Sequence, residues 1–192
     1  MSTVINPEYF QSKNAVVVAP WLLGKVLVRT RADGSVSRHV ITETEAYNGE
    51  EDLACHACKG RTARTEVMYR SGGVWYVYLC YGVHEMLNLV VGPEGFPAAV
   101  LIRGLHDVSG PGRLTKRLAI DRVMNGRSAV GATGLHLEYN GFVVPKKWIQ
   151  IASRVGVDYA GPVWARKQWR FIVNPKWPGL VASLLSRELP PR

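Results

Sequence analysis

The 192-residue chain is long enough to bury a core, and its length favours one domain spanning residues 1–192. Hydrophobic residues make up 47% of it, the mean hydropathy is near zero, and no apolar run reaches the roughly 18–20 residues of a membrane span. The formal charge of +9 favours a polyanionic partner such as nucleic acid, although a basic surface that only aids solubility also accounts for it.

Periodicity and turn residues predict short helices and strands without an internal repeat. In chain order we predict a helix at 14–23, strands at 25–30 and 36–47, a helix from a capping box at Asn48 and Glu51 to about Cys58, a helix at 62–70, strands at 74–81, 84–91 and 98–103, a helix at 112–120, a strand at 169–173 and a helix at 180–187. Strands that follow one another through turns pair as hairpins. The pattern therefore predicts an α+β fold with helices around a mainly antiparallel sheet.

The segment 74–91 has a strong hairpin pattern, because β-branched and aromatic residues flank Gly82 on both sides. Gly82 supplies the positive φ that a tight turn needs, which places Tyr81 beside the tip. A core position is the ordinary interpretation of Tyr76 and Tyr78. A tyrosine at a hairpin tip has little core to fill, so it is a candidate wedge for insertion between bases.

The register of this hairpin decides which side chains share a face. A two-residue turn at 82–83 puts Tyr78 and Asn88 on opposite faces, whereas a three-residue turn at 82–84 places them across from each other. Both residues can line one pocket only if the turn is of the longer or bulged kind. A buried Asn88 either ties down backbone groups or reads the edge of a base.

A carboxylate at the end of the strand 36–47 is the main catalytic candidate. Strand alternation puts Ile41, Glu43, Glu45 and Tyr47 on one face. A solvated face accounts for Glu43, whereas Glu45 stands near a loop, where catalytic groups collect. One acid among several tyrosine rings indicates a slot for a planar heterocycle, and hence an enzyme that acts on a nucleobase.

Two other features remain open from the residues alone. If Arg103 at the end of the strand 98–103 is buried, it needs an anion, and Glu45 is the obvious candidate; a surface cation is the alternative. Cys55 and Cys58 flank His56 with zinc-ligand spacing, but a structural zinc needs four ligands and no second pair is evident. We therefore expect no metal.

Short collinear blocks spread over nearly the whole chain carry a family resemblance. They are Thr44–Tyr47, Asp52, Ala54–His56, Gly60–Thr62, Arg64, Tyr76–Tyr78, Tyr81–Gly82, Asn88, Val100–Arg103, Gly110–Pro111, Leu114, Arg154–Val157, Trp164–Lys167 and Arg170–Phe171. These blocks closely resemble the alkyladenine (3-methyladenine) DNA glycosylase family. The resemblance implies a single α+β domain on a curved antiparallel sheet, with a protruding hairpin that inserts into DNA.

The implied activity is that of a monofunctional enzyme of base-excision repair. Such an enzyme flips alkylated or deaminated purines, of the 3-methyladenine, hypoxanthine and ethenoadenine class, out of duplex DNA. It then hydrolyses the N-glycosidic bond with an activated water and leaves an abasic site. The resemblance implies no cofactor. This chain differs from the animal members of the family, for example by His84 in place of tyrosine. These differences bear mainly on the range of lesions.

The resemblance also implies roles for individual residues. Glu45 resembles the general base, and Arg103 with the carbonyl of Val155 resembles the groups that hold the water. The implied base-binding residues are Tyr47, Ala54, His56, Tyr78 and Asn88. Asn88 resembles the residue that disfavours guanine, and Tyr81 the one that fills the vacated stack. The expected contacts to the DNA backbone are Thr62, Arg64, Arg166 and Lys167.

The expected partner is double-stranded DNA containing damaged purines, bound by a monomer with no membrane association. The first ten residues lack a signal-peptide pattern, which favours a cytoplasmic location, at the nucleoid in a prokaryote. Two alternatives stay open. One is a non-catalytic nucleic-acid-binding module with the aromatic hairpin as a stacking platform, and the other is a metallohydrolase that uses Cys55, His56 and Cys58.

Overall fold

The structure of the chain is a computed structural model, which describes residues 3–131 and 134–180. Within these ranges, ten strands pair antiparallel in one sheet. They are β1 (Thr3–Val4), β2 (Val26–Thr30), β3 (Val36–Asn48), β4 (Trp75–Cys80), β5 (His84–Val90), β6 (Ala98–Leu105), β7 (Val108–Ser109), β8 (Leu135–Tyr139), β9 (Ile149–Ala152) and β10 (Arg170–Val173). The strand order is β1-β8-β2-β3-β6-β5-β4, with β10 also beside β3, β9 beside β10 and β7 beside β6.

Short helices accompany the sheet. The α-helices are α1 (Glu8–Gln11), α2 (Ala15–Leu22), α3 (Pro111–Arg117) and α4 (Gly161–Ala165), and the 3-10 turns are His56–Lys59, Glu66–Tyr69, Arg122–Met124, Lys146–Trp148 and Asp158–Ala160. Asn14 caps α2, because its side chain accepts the Val17 N–H at 3.0 Å. The predicted α+β class with an antiparallel sheet is confirmed.

The main core lies between α2 and the centre of the sheet. Thr44 on β3 donates its hydroxyl to the Ala19 carbonyl of α2 at 2.8 Å, which joins the two elements. The largest completely buried apolar side chains are Trp75, Phe10, Leu22, Leu23, Leu27, Ile41, Met68, Leu87, Leu89, Ile102 and Leu114. Burial of each of these side chains stabilises the fold by about 1.5–3 kcal/mol relative to an exposed position. The core therefore fixes the strands that carry the loops.

A bulge in β3 sets which of its side chains face the core. The register against β6 shifts between Ile41 and Thr44, and an extra residue reverses the alternation of faces. Ile41 therefore joins the core together with Ala46, and it does not share a face with Glu45 as alternation predicted. Glu45 and Tyr47 are left on the other side of the strand.

The hairpin of β4 and β5 is confirmed, but neither predicted register is correct. Cys80 pairs with His84, so the turn comprises residues 81–83, and Tyr76, not Tyr78, lies across from Asn88. Tyr78 is two residues along the same strand and shares that face. The longer kind of turn that a common pocket requires is therefore present.

Two predicted helices are wrong. The capping box does not form, because β3 runs through Asn48, whose N–H donates to Asp52 Oδ2 at 3.2 Å and whose side chain accepts the Ala15 N–H at 3.1 Å. In the segment 62–70 only the last turn is helical, as a 3-10 turn. The predicted helix at 180–187 lies outside the described residues apart from its first residue.

Candidate active site

One large cavity, of about 990 Å³, is walled by the ends of β3, β4, β5 and β6 and by the loops at 53–65 and 155–159. Its volume is that of a small-molecule site, ample for a purine. The cavity brings together ten predicted site residues: Tyr47, Ala54, His56, Thr62, Arg64, Tyr78, Tyr81, Asn88, Arg103 and Val155. Residues from distant parts of the chain thus form one site.

Glu45 is completely buried and lies one layer behind the cavity surface. Its Oε2 accepts the Tyr47 hydroxyl at 2.9 Å, and its Oε1 accepts the Val155 N–H at 2.9 Å. The Nε of Arg103 lies 3.5 Å from Oε1. All three partners line the cavity, so each connects the acid to its interior. The contact from Val155 is made by its N–H and not by its carbonyl.

Burial raises the pKa of Glu45 above its ordinary value, because loss of solvent penalises the charged form. Three groups oppose this shift, namely the cation of Arg103, the Val155 N–H and the Tyr47 hydroxyl, whereas the nearby Glu43 adds to it. A carboxylate with a raised pKa beside a cavity is suited to accept a proton near neutral pH.

The second carboxylate of β3 is not a solvated group. Only 14% of the Glu43 side chain is exposed, and its Oε1 accepts Arg103 Nε at 3.0 Å and Arg170 NH1 at 3.2 Å. Arg103 is therefore paired with two acids and lies nearer to Glu43 than to Glu45. Of the two alternatives for Arg103, the structure shows the paired cation, with Glu43 as a partner in addition to Glu45. The sequence did not indicate that Arg170 pairs with Glu43.

Aromatic rings form one wall of the cavity. His56 Nδ1 lies 3.0 Å from the Tyr76 hydroxyl, and its ring meets Tyr78 edge-on at 4.5 Å. Burial, with a contribution from the cation of Arg64, lowers the pKa of His56 to about 4. His56 is therefore neutral at neutral pH. Burial also raises the pKa of Tyr78, so this hydroxyl remains a donor.

Asn88 is tied to the backbone, which is the first of the two interpretations that the sequence left open. It is 4% exposed, and its Nδ2 donates to the carbonyls of Tyr76 at 3.2 Å and Met86 at 3.3 Å. These bonds fix the amide on the backbone. Because Nδ2 is engaged and the residue lines the cavity, Oδ1 is the amide atom left to meet a ligand.

Tyr81 projects from the hairpin turn with 89% of its surface exposed. Its φ of 50° is in the left-handed region, which is uncommon for a residue with a side chain. The end of β5 next to the turn is held by α3, since Thr115 donates its hydroxyl to the Glu85 carbonyl at 2.8 Å. His84 packs against the same helix, where a Cβ added to Gly112 would lie 2.8 Å from its ring.

The four residues expected at the DNA backbone fall into two groups. Thr62 and Arg64 line the cavity, and the Arg64 guanidinium lies over the Tyr78 ring at 5.2 Å. Arg166 is exposed, and the ammonium of Lys167 lies 5.1 Å from the Trp164 ring; neither belongs to the cavity lining.

The cysteine motif does not form a cluster of metal ligands within the described ranges. There, the one group of three candidate ligands is His39, His106 and Asp107. Asp107 already accepts Arg117 NH2 at 2.9 Å, and His106 Nδ1 already accepts the Val40 N–H at 3.2 Å. This cluster is accordingly a hydrogen-bonded network.

Comparison with known proteins agrees with this geometry. The family model described as "Methylpurine-DNA glycosylase (MPG)" matches residues 9–176. A protein of Psychrobacter cryohalolentis is 42% identical, with 88% of this chain and 90% of the relative covered. A protein of Myxococcus xanthus is 46% identical, with 88% and 89% covered. Both bear the name "Putative 3-methyladenine DNA glycosylase".

An antiparallel α+β fold with an aromatic cavity in front of a buried acid defines a candidate site for a flat ring. With the match over most of its length, the chain belongs to the methylpurine-DNA glycosylase family. No helix among the described residues is long and apolar enough to cross a membrane.

Proposed function

We propose that this protein is a monofunctional DNA glycosylase that removes alkylated or deaminated purines from double-stranded DNA. The names of the relatives and the family match support this proposal. The observation that carries it is the hydrogen bond from Tyr47, a ring of the cavity wall, to the buried Glu45. An acid held directly behind an aromatic wall is placed to act on the sugar of a base inside the cavity.

Hydrolysis of an N-glycosidic bond passes through an oxocarbenium-like state, as sugar hydrolysis does. The bond from C1′ to the base breaks, the water oxygen bonds to C1′, and Glu45 takes a proton from the water. The ionised Glu45 also stabilises the positive charge on the sugar. Arg103 and the backbone at Val155, which already contact Glu45, are the groups that orient the water.

The leaving base determines how much further help is needed. An alkylated purine is cationic and departs readily, whereas neutral hypoxanthine needs hydrogen-bond donors. His56 has a pKa of about 4 and is therefore unprotonated at neutral pH, so it has no imidazolium proton to donate to the leaving base. We infer that hydroxyl and backbone donors of the cavity support the departure of neutral bases, and that Asn88 disfavours the amino group of guanine by exclusion.

Access to the base requires that it leave the helix. Flipping costs a few kcal/mol, and a side chain that fills the vacated stack offsets part of this cost. Tyr81 is suited to this role by its exposure at the cavity rim. The charge of +9 supports sequence-independent contact with phosphates.

The direct test is an excision assay. The protein is incubated with a duplex that contains one hypoxanthine, then with hot alkali, which breaks the strand at an abasic site. We expect cleavage at the lesion only after alkali, and none in an undamaged duplex. Binding without cleavage would replace the enzyme by a nucleic-acid-binding module. Parallel duplexes with alkylated and etheno-bridged purines give the range of lesions.

A further inference from the structure

A buried ion pair lies behind the cavity wall, in addition to Glu45. The side chains of Asp52 and Arg154 are both completely shielded from solvent. Arg154 NH1 donates to Asp52 Oδ2 at 2.6 Å, and NH2 donates to Oδ1 at 2.8 Å. This two-pronged geometry fixes the orientation of the guanidinium as well as its position.

The Asp52 carboxylate in turn organises the loop that follows β3. Its Oδ2 accepts the Asn48 N–H at 3.2 Å, and its Oδ1 accepts the Ala54 N–H at 3.1 Å. Ala54 lies in the cavity wall. One carboxylate therefore connects the end of β3, a cavity residue and the guanidinium.

The guanidinium of Arg154 holds the segment that carries the acid. NH1 also donates to the Ala46 carbonyl at 2.9 Å, and Ala46 stands between Glu45 and Tyr47. The centre of the guanidinium lies 4.8 Å from the centroid of the Tyr47 ring. The next residue, Val155, supplies the N–H that contacts Glu45 Oε1. Tyr47 and Val155, which donate the hydrogen bonds to Glu45, are thus both adjacent to this one cation.

Net stability is a weak reason for such a pair. Loss of solvent offsets most of the attraction between two buried charges. In addition, Nε of Arg154 is buried with no hydrogen-bond partner in the part of the chain that the structure describes. The arrangement is therefore better explained by the geometry that it imposes on its neighbours.

We propose that Asp52 and Arg154 act as positioning residues that hold the Tyr47 ring and the Val155 N–H against Glu45 during base release. The inference depends on the proposed function, because it takes Glu45 to be the general base. A displacement of about 1 Å at a catalytic group costs on the order of 100-fold in rate. Arg154→Lys keeps the charge but loses the planar, two-pronged contact, and Asp52→Asn keeps the shape but loses the charge.

The experiment measures single-turnover excision of hypoxanthine against pH. The charged and titratable groups around Glu45 are Glu43 and Tyr47 on β3, Arg103 on β6, Arg170 on β10, and the Asp52–Arg154 pair. Both variants leave the first four unchanged. We expect each variant to be slowed on the order of 100-fold with lesion binding retained. For Arg154→Lys we also expect the acid limb of the rate profile to move to higher pH, because Glu45 loses part of the stabilisation of its charged form. Asp52→Asn removes an anion near Glu45 and leaves the Arg154 cation in place, so this variant is judged by its rate.

Arg29→Lys is the matched control. Arg29 also donates to backbone carbonyls, those of Leu118, Thr30, Gly134 and Ala119, but none of these residues lines the cavity. This variant should lose stability and keep the rate and the acid limb of the parent. Folding of every variant is followed by thermal unfolding, and rates are taken below the onset of unfolding.

The outcomes separate the two proposals. If the parent protein releases no base, the proposed function fails. If the parent is active and both pair variants keep its rate, or Arg154→Lys keeps its acid limb, the positioning role is overturned, and the pair serves stability only. Should Arg154→Lys not fold, the rate of Asp52→Asn alone decides, because this variant preserves the volume of the side chain and one of its two acceptor oxygens.

Discussion

The hydroxyl of Tyr47 provides a defined way to change the acid without removing it. Tyr47→Phe deletes the 2.9 Å hydrogen bond to Glu45 Oε2 and leaves the Val155 N–H and Arg103 in place. A hydrogen bond to a charged group contributes about 1.5–3 kcal/mol. Because 1.36 kcal/mol corresponds to one pKa unit, the pKa of Glu45 should rise by about 1–2 units.

A base must be deprotonated to act, so the rise moves the acid limb of the excision profile upward by about 1–2 pH units. The rate on the alkaline plateau should change less than the limb. Single-turnover excision of hypoxanthine between pH 4.5 and 8.5 measures both quantities. Tyr69→Phe is the control, because Tyr69 donates to Glu50 in a similar pair at 2.5 Å outside the cavity. A Tyr47→Phe limb that coincides with that of the parent would refute the coupling of this hydroxyl to the catalytic acid.

Two further predictions concern the hairpin and a buried cation. Tyr81→Ser should weaken binding to a lesion-containing duplex roughly tenfold, since stacking on a base contributes about 1–3 kcal/mol. Val83→Ser, in the same exposed turn, should leave the affinity unchanged. Equal affinities of Tyr81→Ser and the parent would reject the wedge. Burial lowers the pKa of Lys25 from 10.5 to about 8, so the unfolded chain binds more protons between these values and stability rises with pH through that window. Lys25→Met removes this dependence. The difference in free energy of unfolding, variant minus parent, should therefore decrease by roughly 2.5 kcal/mol between pH 7 and pH 10 in urea titrations. A constant difference between variant and parent would contradict the buried cation.

Local patterns were sufficient for the strands that carry the site. The runs around Gly82 predicted the hairpin, and the segments ending at Tyr47 and Arg103 predicted the two central strands, because alternation and β-branched residues are properties of the local sequence. The same local reasoning failed after Asn48. There, the Asn48 N–H donates to Asp52, which Arg154 fixes from 102 residues away, and the Asn48 side chain accepts an N–H from the start of α2. The contacts to Arg154 and α2 are tertiary.

Other features depend on contacts that no local pattern contains. The bulge between Ile41 and Thr44 separates the core face of β3 from the cavity face, and its position follows from the pairing with β6. Asp52 and Arg154 are 102 residues apart in sequence. The resemblance included both residues but gave no reason for their presence. Their role became visible only when the fold placed them beside Tyr47.

Glu45 is the group that we propose accepts the proton of the water. The decisive measurement is single-turnover excision of hypoxanthine by Glu45→Gln, with binding to the same duplex measured in parallel. We expect the rate to fall by about 10²–10⁴-fold with affinity near that of the parent, whereas Glu138→Gln, a change at a buried carboxylate on β8, keeps the rate. Excision by Glu45→Gln at the parent rate would contradict the central claim.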